Sequence, residues 1–435
     1  MKVAYITAGA AGMYCGSCLH DNTLAAALIR KGHDVSLIPT YTPVRTDETD
    51  VSIDRVFYGA INVYLEQKAA LFRHTPWLVD RMLDSPRLLS WATNRAGPTD
   101  ARNLGALTLS VLQGEDGNQS KELEKLVVWL RDELRPDVVN LTNSMFLGMA
   151  RRIRRELGVP ILCSLQGEDI FLDDLVEPYA SRVRQALIER ARDVDGFIAT
   201  SRYYVDHMSE LMQTPKERIH HVRLGLKLDD FRGREPAAGE AGRPFTIGYL
   251  ARICPEKGLH LLVEGFRRLV EQVGRERVRL EIAGYLAQRD RDYCDGILQQ
   301  MKQQGLDGIV DYRGEVDRRG KIEFLESLDV LSVPTTYAEP KGLFVLEALA
   351  SGVPVVQPRH GAFPEMLEAT GGGLLVEPDS PPALAEALRG LMDDPARRAE
   401  LGRKGREAVH RDYSDDVMAE ATLAIYRRYV AASGQ

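Results

Sequence analysis

The sequence predicts an α/β protein built of two doubly wound, parallel-sheet domains, with a helical insertion in the first. Three observations carry this expectation. At 435 residues the chain is too long for one ordinary core and suits two or more domains. A strand followed by a glycine-bearing loop and an apolar-periodic helix begins twice, at the N-terminus and again near residue 245. Strand and helix patterns alternate after each beginning, which implies parallel strands layered between helices.

The elements follow in order. Residues 2–7 are an apolar run that reads as a buried first strand. The run breaks at once into Gly9, Gly12 and Gly16 with no cleavage pattern, so a signal peptide is not expected and the protein is placed in the cytoplasm. A helical pattern runs from about Asp21 to Lys31 and is ended by Gly32, and Asp34 to Pro39 reads as the next strand. Residues from about 62 to 113 exceed a minimal βαβ plan. With Leu71, Phe72, Trp77, Leu78 and Trp91 among basic residues, they read as an inserted helical segment. The first domain is taken as 1–228. Residues 229–244, rich in Gly, Pro, Ala and charge, read as the linker. The second domain, 245–412, opens with a strand at Phe245 to Leu250, a loop to Gly258, a helix to about Val273 and a strand from Arg279 to Ala283. Residues 413–435 hold a terminal helix that is expected to cross back to the first domain.

Composition excludes several classes of function. A 44% hydrophobic and 27% charged chain is globular, not disordered. With 56 Lys and Arg against 63 Asp and Glu, the net charge of −7 argues against a nucleic-acid partner. Five cysteines do not make a secreted disulfide framework. No apolar run approaches the roughly 18 residues of a membrane-spanning helix.

The most informative segment runs from Tyr337 to Gly352. Pro340 biases Glu339 toward an extended conformation, so Glu339 is expected in a loop. A helix then runs from about Gly342 to Gly352, and its first amides form an anion site. Its sequence is apolar nearly all round, so Glu347 is expected to be buried. A buried carboxylate needs hydrogen-bond donors, which either a protein cation or a ligand diol could supply. The second segment, Ala251 to Gly258, follows a predicted strand and precedes a helix, where open α/β sheets bind ligands. Arg252 and Lys257 there can clamp a diphosphate, the one with a planar fork and the other with a point charge. Cations, a helix N-terminus and two carboxylates together suit a nucleotide joined to a polyhydroxylated group.

On these residues the chain resembles the retaining, nucleotide-sugar-dependent glycosyltransferases of family 4, whose GT-B fold sets two Rossmann-like domains about a central cleft. The resemblance covers nearly the whole chain. Its sharpest parts are the Glu-x7-Glu motif, Glu339 to Glu347, with Gly352-Val353-Pro354-Val355-Val356 after it, and the Arg-x4-Lys-Gly motif at Arg252 to Gly258. The resemblance implies transfer of a hexose-type sugar from a nucleoside-diphosphate sugar to an acceptor hydroxyl with retention. In this reading Arg252 and Lys257 grip the diphosphate and Glu339 holds hydroxyls of the transferred sugar. Glu347 accepts from both ribose hydroxyls, which would account for its burial. Amides around Gly342 and Leu343 meet the phosphates, and Val316 cradles the base with its main chain. In the first domain, Gly9-Ala10-Ala11-Gly12 resembles the glycine-rich loop beside donor and acceptor, with Gly12 as the site residue. Ser164 to Asp169 resembles a stretch that in many relatives reads Thr-Leu-His-Gly-x-Asp. Gln166 stands where histidine is common, so Gln166, Glu168 and Asp169 are the acceptor-side candidates. No cofactor and no metal are called for. The nucleotide sugar is the donor substrate.

Other signals carry less. Cys15 and Cys18 have the spacing of half a zinc or redox site but no second pair. Asp193-Val194-Asp195 resembles a metal-binding Asp-x-Asp but falls where a turn precedes a strand. Arg151 to Arg155 puts four arginines on one helix. A solvated face is the favoured reading there, and contact with the inner face of an anionic membrane is the other. The competing functional readings are a nucleotide-sugar epimerase on the same fold and a non-catalytic nucleotide-sugar binding protein. Replacing Arg252 and Lys257 together by alanine is expected to lower nucleotide affinity sharply while folding survives.

Overall fold

The computed structural model describes residues 1–9, 15–59, 63, 66–67, 101–231 and 243–433, with 101–103 as backbone only. Most of the expected linker, much of the expected insertion, and Gly12 lie outside these residues. The chain divides into two compact units. One comprises Met1–Gly225 together with Asp415–Gln435, and the other comprises Leu226–Ser414.

Each unit is built on a six-stranded, wholly parallel sheet. In the first unit the strands are β1 (Lys2–Thr7), β2 (Asp34–Pro39), β3 (Val138–Leu141), β4 (Ile161–Leu165), β5 (Gly196–Ala199) and β6 (Ile219–His221), in the order β2-β1-β3-β4-β5-β6. In the second they are β7 (Phe245–Leu250), β8 (Val278–Ala283), β9 (Val310–Tyr312), β10 (Val330–Leu331), β11 (Val355–Pro358) and β12 (Gly373–Val376), in the order β12-β11-β10-β7-β8-β9. Strands β1, β3, β4, β5 and β7 are buried along nearly all of their length. This is why they read as unbroken apolar runs rather than alternations: helices cover both faces. Each strand order reverses direction once, between β1 and β3 and between β7 and β10. These are the switch points where such sheets open a crevice at their carboxyl ends.

The first helix differs from expectation. It spans Gly16–Arg30 and begins five residues before the expected start. His20, Asp21, Asn22 and Thr23 in its early turns are all buried, so this polar stretch is packed inside. The helix Ala101–Gln113 forms the described end of the expected insertion. The terminal helix, Asp415–Ser433, lies with the first unit. Arg30 pairs with Asp415 at 2.6 Å and Lys31 with Glu420 at 2.8 Å, and Tyr426 is fully buried.

The four arginines of the helix Ala150–Leu157 each meet an acid: Arg151 with Asp193, Arg152 with Glu124 and Glu156, Arg154 with Asp195, and Arg155 with Glu115. That face is an ion-paired, solvated surface. It leaves the membrane reading without the unpaired cations it needs. Asp195 also accepts from the Ile161 amide at 2.7 Å, so the Asp-x-Asp segment ties a turn to β4. No disulfide joins the cysteines; Cys18 is buried and Cys15 partly so.

Candidate functional site

Strands β7 and β10 are neighbours at the second unit's switch point, and the loops leaving their carboxyl ends lie against one another. Gly258 closes the β7 loop with φ of 70°. A Cβ there would come within 1.8 Å of the Pro334 carbonyl oxygen, so only glycine allows the two loops this approach. The Thr336 amide donates to the Glu256 carbonyl at 2.9 Å and completes the seam.

Across this seam the structure brings Lys257 and Glu339 together. Lys257 Nζ donates to Glu339 Oε2 at 2.6 Å and to the Tyr337 hydroxyl at 2.6 Å. The Tyr337 hydroxyl in turn donates to the same Oε2. The other oxygen, Oε1, accepts from the Lys341 and Gly342 amides, both at 3.2 Å. Glu339 is only 4% exposed. Burial alone would push its carboxyl upward, but the Lys257 charge and the bonds from Lys257, Tyr337 and Gly342 outweigh that and hold it at about 2.

Arg252 lies on the same loop, and its charge acts on the Tyr337 phenol. Its guanidinium differs from the Lys257 ammonium in being hardly engaged. Nε donates to Cys254 Sγ at 3.3 Å, and no carboxylate among the described residues pairs with it. An arginine fork left open in a partly buried loop is set up to receive an anion. The ammonium of Lys257 carries three protons and gives two to protein partners, leaving one for a ligand.

The helix Leu343–Ala350 starts beside this pair. Gly342 caps it with φ of 66°, and no side chain caps its first amides. Phe344 through Ala350 are all buried, as expected from the apolar pattern. Glu347 is 5% exposed, and Lys321 Nζ lies 2.5 Å from its Oε1. Of the two partners the sequence left open for this buried carboxylate, the structure supplies the protein cation. Lys321 sits on the helix Arg318–Ser327, whose N-cap Asp317 accepts from the Gly320 amide at 2.8 Å. Val316 immediately precedes that cap, in the loop after β9. Lys321 and Tyr337 were not singled out in the sequence. Tyr337 stands two residues before a motif glutamate, and Lys321 is one lysine among the charges of a polar helix.

In the first unit the equivalent switch point is filled from within. Asp21 is fully buried between the ends of β1, β3 and β4. Its Oδ1 accepts from Tyr5 at 2.8 Å and from Gln166 Nε2 at 2.7 Å, and its Oδ2 from Thr7 at 2.7 Å and Thr142 at 2.6 Å. His20 Nδ1 lies 3.3 Å from Oδ1. Gln166 is therefore turned inward, and its amide also reaches the Thr142 carbonyl at 3.1 Å. Glu168 accepts from the Gln166 amide nitrogen at 2.6 Å and the Ser144 amide at 2.8 Å, which fixes the loop after β4. Asp169 accepts from Tyr204 at 2.9 Å and faces His207 at 3.4 Å. The bond to Asp169 raises the His207 imidazole above its ordinary range, against the effect of burial.

Family models match both halves of the chain. A glycosyl transferase 4-like domain matches residues 22–225, and glycosyl transferases group 1 matches residues 233–408. A D-inositol 3-phosphate glycosyltransferase of Kineococcus radiotolerans is 30% identical over 278 residues, 59% of this chain and 62% of that one. Alignments cover about 55–69% of the length of the curated relatives it matches. Among solved structures, sucrose-phosphate synthase from Thermosynechococcus elongatus superposes with a TM-score of 0.72 over 99% of this chain and 100% of that one, at 18% identity. Anabaena HepE in complex with UDP gives 0.68 over 98% and 100%, at 16% identity. The first half of the chain thus matches a glycosyl transferase 4-like domain and the second half a glycosyl transferases group 1 domain, on the two-domain fold that these solved structures share.

Proposed function

We propose that the protein is a retaining glycosyltransferase of family 4 that moves a hexose-type sugar from a nucleoside-diphosphate sugar to an acceptor hydroxyl. One observation carries the reading: an open Arg252 fork, the remaining Lys257 proton and an uncapped helix N-terminus meet at the β7/β10 switch point beside an ionised Glu339. Two cations and a helix dipole neutralise charge as a diphosphate leaves, and preorganised donors of this kind act most strongly on the transition state. Glu339 then orients hydroxyls of the sugar, and Glu347 and the Val316 main chain hold the nucleoside. The departing diphosphate takes the proton of the incoming hydroxyl on the same face, so configuration is retained. On the acceptor side Gln166, Glu168 and Asp169 are all buried and fix the shape of the loop after β4, with His207 beside Asp169. No metal enters this scheme.

The test is turnover of UDP-glucose and other nucleotide sugars with sugar, lipid and small-molecule acceptors, followed by the anomeric configuration of the product. Conversion of donor without acceptor would mark an epimerase, and binding without consumption would mark a non-catalytic binding protein. Arg252→Ala is expected to lower UDP affinity by about 30–100-fold, since one charge-assisted fork is worth about 2–3 kcal/mol. Its unfolding midpoint should stay near wild type, because the guanidinium holds only a thiol. Unchanged UDP binding would contradict the clamp. Glu347→Gln is expected to weaken UDP more than 2′,3′-dideoxy-UDP. Equal losses would leave Glu347 as the structural partner of Lys321 alone.

A further inference from the structure

The two oxygens of Glu339 are held very differently. Oε2 takes the short bond from Lys257 and the bond from the Tyr337 hydroxyl, whereas Oε1 takes only two amide bonds of 3.2 Å. A carboxylate has about four acceptor positions, and all four are occupied here. A sugar hydroxyl can therefore reach Glu339 only by displacing a donor already present. The long amide bonds on Oε1 are the weaker pair. The Lys341 and Gly342 amides they release lie at the start of the helix Leu343–Ala350 and can turn to the ligand's own oxygens.

We propose that Tyr337 is a positioning residue of the donor site, which locks Oε2 of Glu339 to Lys257 so that Oε1 alone exchanges its amide bonds for hydroxyls of the transferred sugar. This rests on the donor-site reading above. The phenol is well placed for the task. Its hydroxyl accepts from Lys257 and donates to Glu339, so it completes a closed three-way contact that neither charged partner can make alone. It also lies within the field of Arg252. The Cys254 thiol acts on the phenol as well, and His360 lies on the segment packed behind the glutamate. There Nε2 donates to the Thr335 carbonyl at 2.9 Å, and the Ala362 amide donates to the Glu339 carbonyl at 2.8 Å. Without the phenol oxygen, Lys257 and Glu339 keep their attraction but lose the fixed angle between them, and both carboxylate oxygens become exchangeable.

The experiment is Tyr337→Phe, which keeps the ring, compared with wild type in two measurements. One is the titration of the Glu339 carboxyl, followed by carbon-13 NMR of glutamate-labelled protein and assigned with Glu339→Gln. The other is the affinity for UDP-glucose against that for UDP. The expected result is a carboxyl midpoint higher by about one pH unit, with UDP-glucose affinity reduced by about tenfold and UDP affinity changed by less than about threefold. An unmoved titration would overturn the role of Tyr337 whatever the ligand. A shifted titration with UDP-glucose and UDP weakened equally would overturn it as well, since Oε1 would then not read the sugar. If wild type binds neither nucleotide, the donor-site reading itself falls and takes this proposal with it.

Discussion

Lys257→Ala is expected to cost the second unit about 3–5 kcal/mol of stability at pH 7, the largest single effect in that half of the chain. Removing one partner of a buried pair leaves the other charge uncompensated. Glu339, at 4% exposure, would keep only the Tyr337 hydroxyl and two long amide bonds. In a variant lacking both cations, the loss of Lys257 and not that of Arg252 is expected to carry the cost in stability. The pH dependence provides the check. The folded Glu339 carboxyl sits at about 2 against an ordinary 4.5, so its contribution is fully present above about pH 4.5 and is lost as pH falls toward 2. A depression of that size corresponds to roughly 3 kcal/mol. Denaturant unfolding of wild type should therefore lose that increment between about pH 5 and 2, and Lys257→Ala should lose far less over the same range. Lys257→Met combined with Glu339→Gln should recover most of the deficit, because a neutral pair leaves no buried charge. An acid limb as steep in Lys257→Ala as in wild type would show that Lys257 is not what ionises Glu339.

How far the site could be read from the chain follows from the range of its contacts. Arg252, Lys257 and Glu339 were legible because each lies in a loop directly after a buried strand, and the fold places such loops together whatever their detailed conformation. The uncapped helix at Gly342 was legible for the same local reason: proline, glycine and an apolar run follow in order. Partner choice was not legible. The sequence demanded donors for Glu347 but could not choose between a ligand and a cation, and the cation proved to be Lys321, 26 positions away on another helix. Tyr337 looked like a loop aromatic, because nothing in a linear pattern says that a phenol will bridge a lysine 80 positions away. The first helix begins five residues before its expected start, and the buried polar residues His20 to Thr23 give no apolar pattern that would mark its early turns. Inside the core Asp21 meets His20, Tyr5 and Thr7, whereas Asn22 bonds to Thr49 and Val51 and Thr23 to Glu48.

That interior network gives the largest effect expected in the first unit. Asp21→Ala removes the acceptor shared by Tyr5, Thr7, Thr142 and Gln166, all of them buried. Each buried donor left without a partner costs about 1–3 kcal/mol, and the alanine also leaves space among groups that cannot easily close over it. Allowing for partial rearrangement of the threonine hydroxyls, the loss should be about 5 kcal/mol. Asp21→Asn tests whether acceptor chemistry or mere volume matters. Its amide nitrogen can occupy the Oδ2 position, where the Thr7 and Thr142 hydroxyls can rotate to accept. Its carbonyl then keeps Tyr5 and Gln166 at Oδ1, so the cost should fall to about 2 kcal/mol. Denaturant unfolding followed by a probe in each unit would separate the transitions, and only that of the first unit should move. Alanine and asparagine variants of equal stability would mean that packing around Asp21, not its oxygens, holds the ends of β1, β3 and β4. The loop from Gln166 to Asp169 would then owe its position to Glu168 and Tyr204, whose bonds do not involve Asp21.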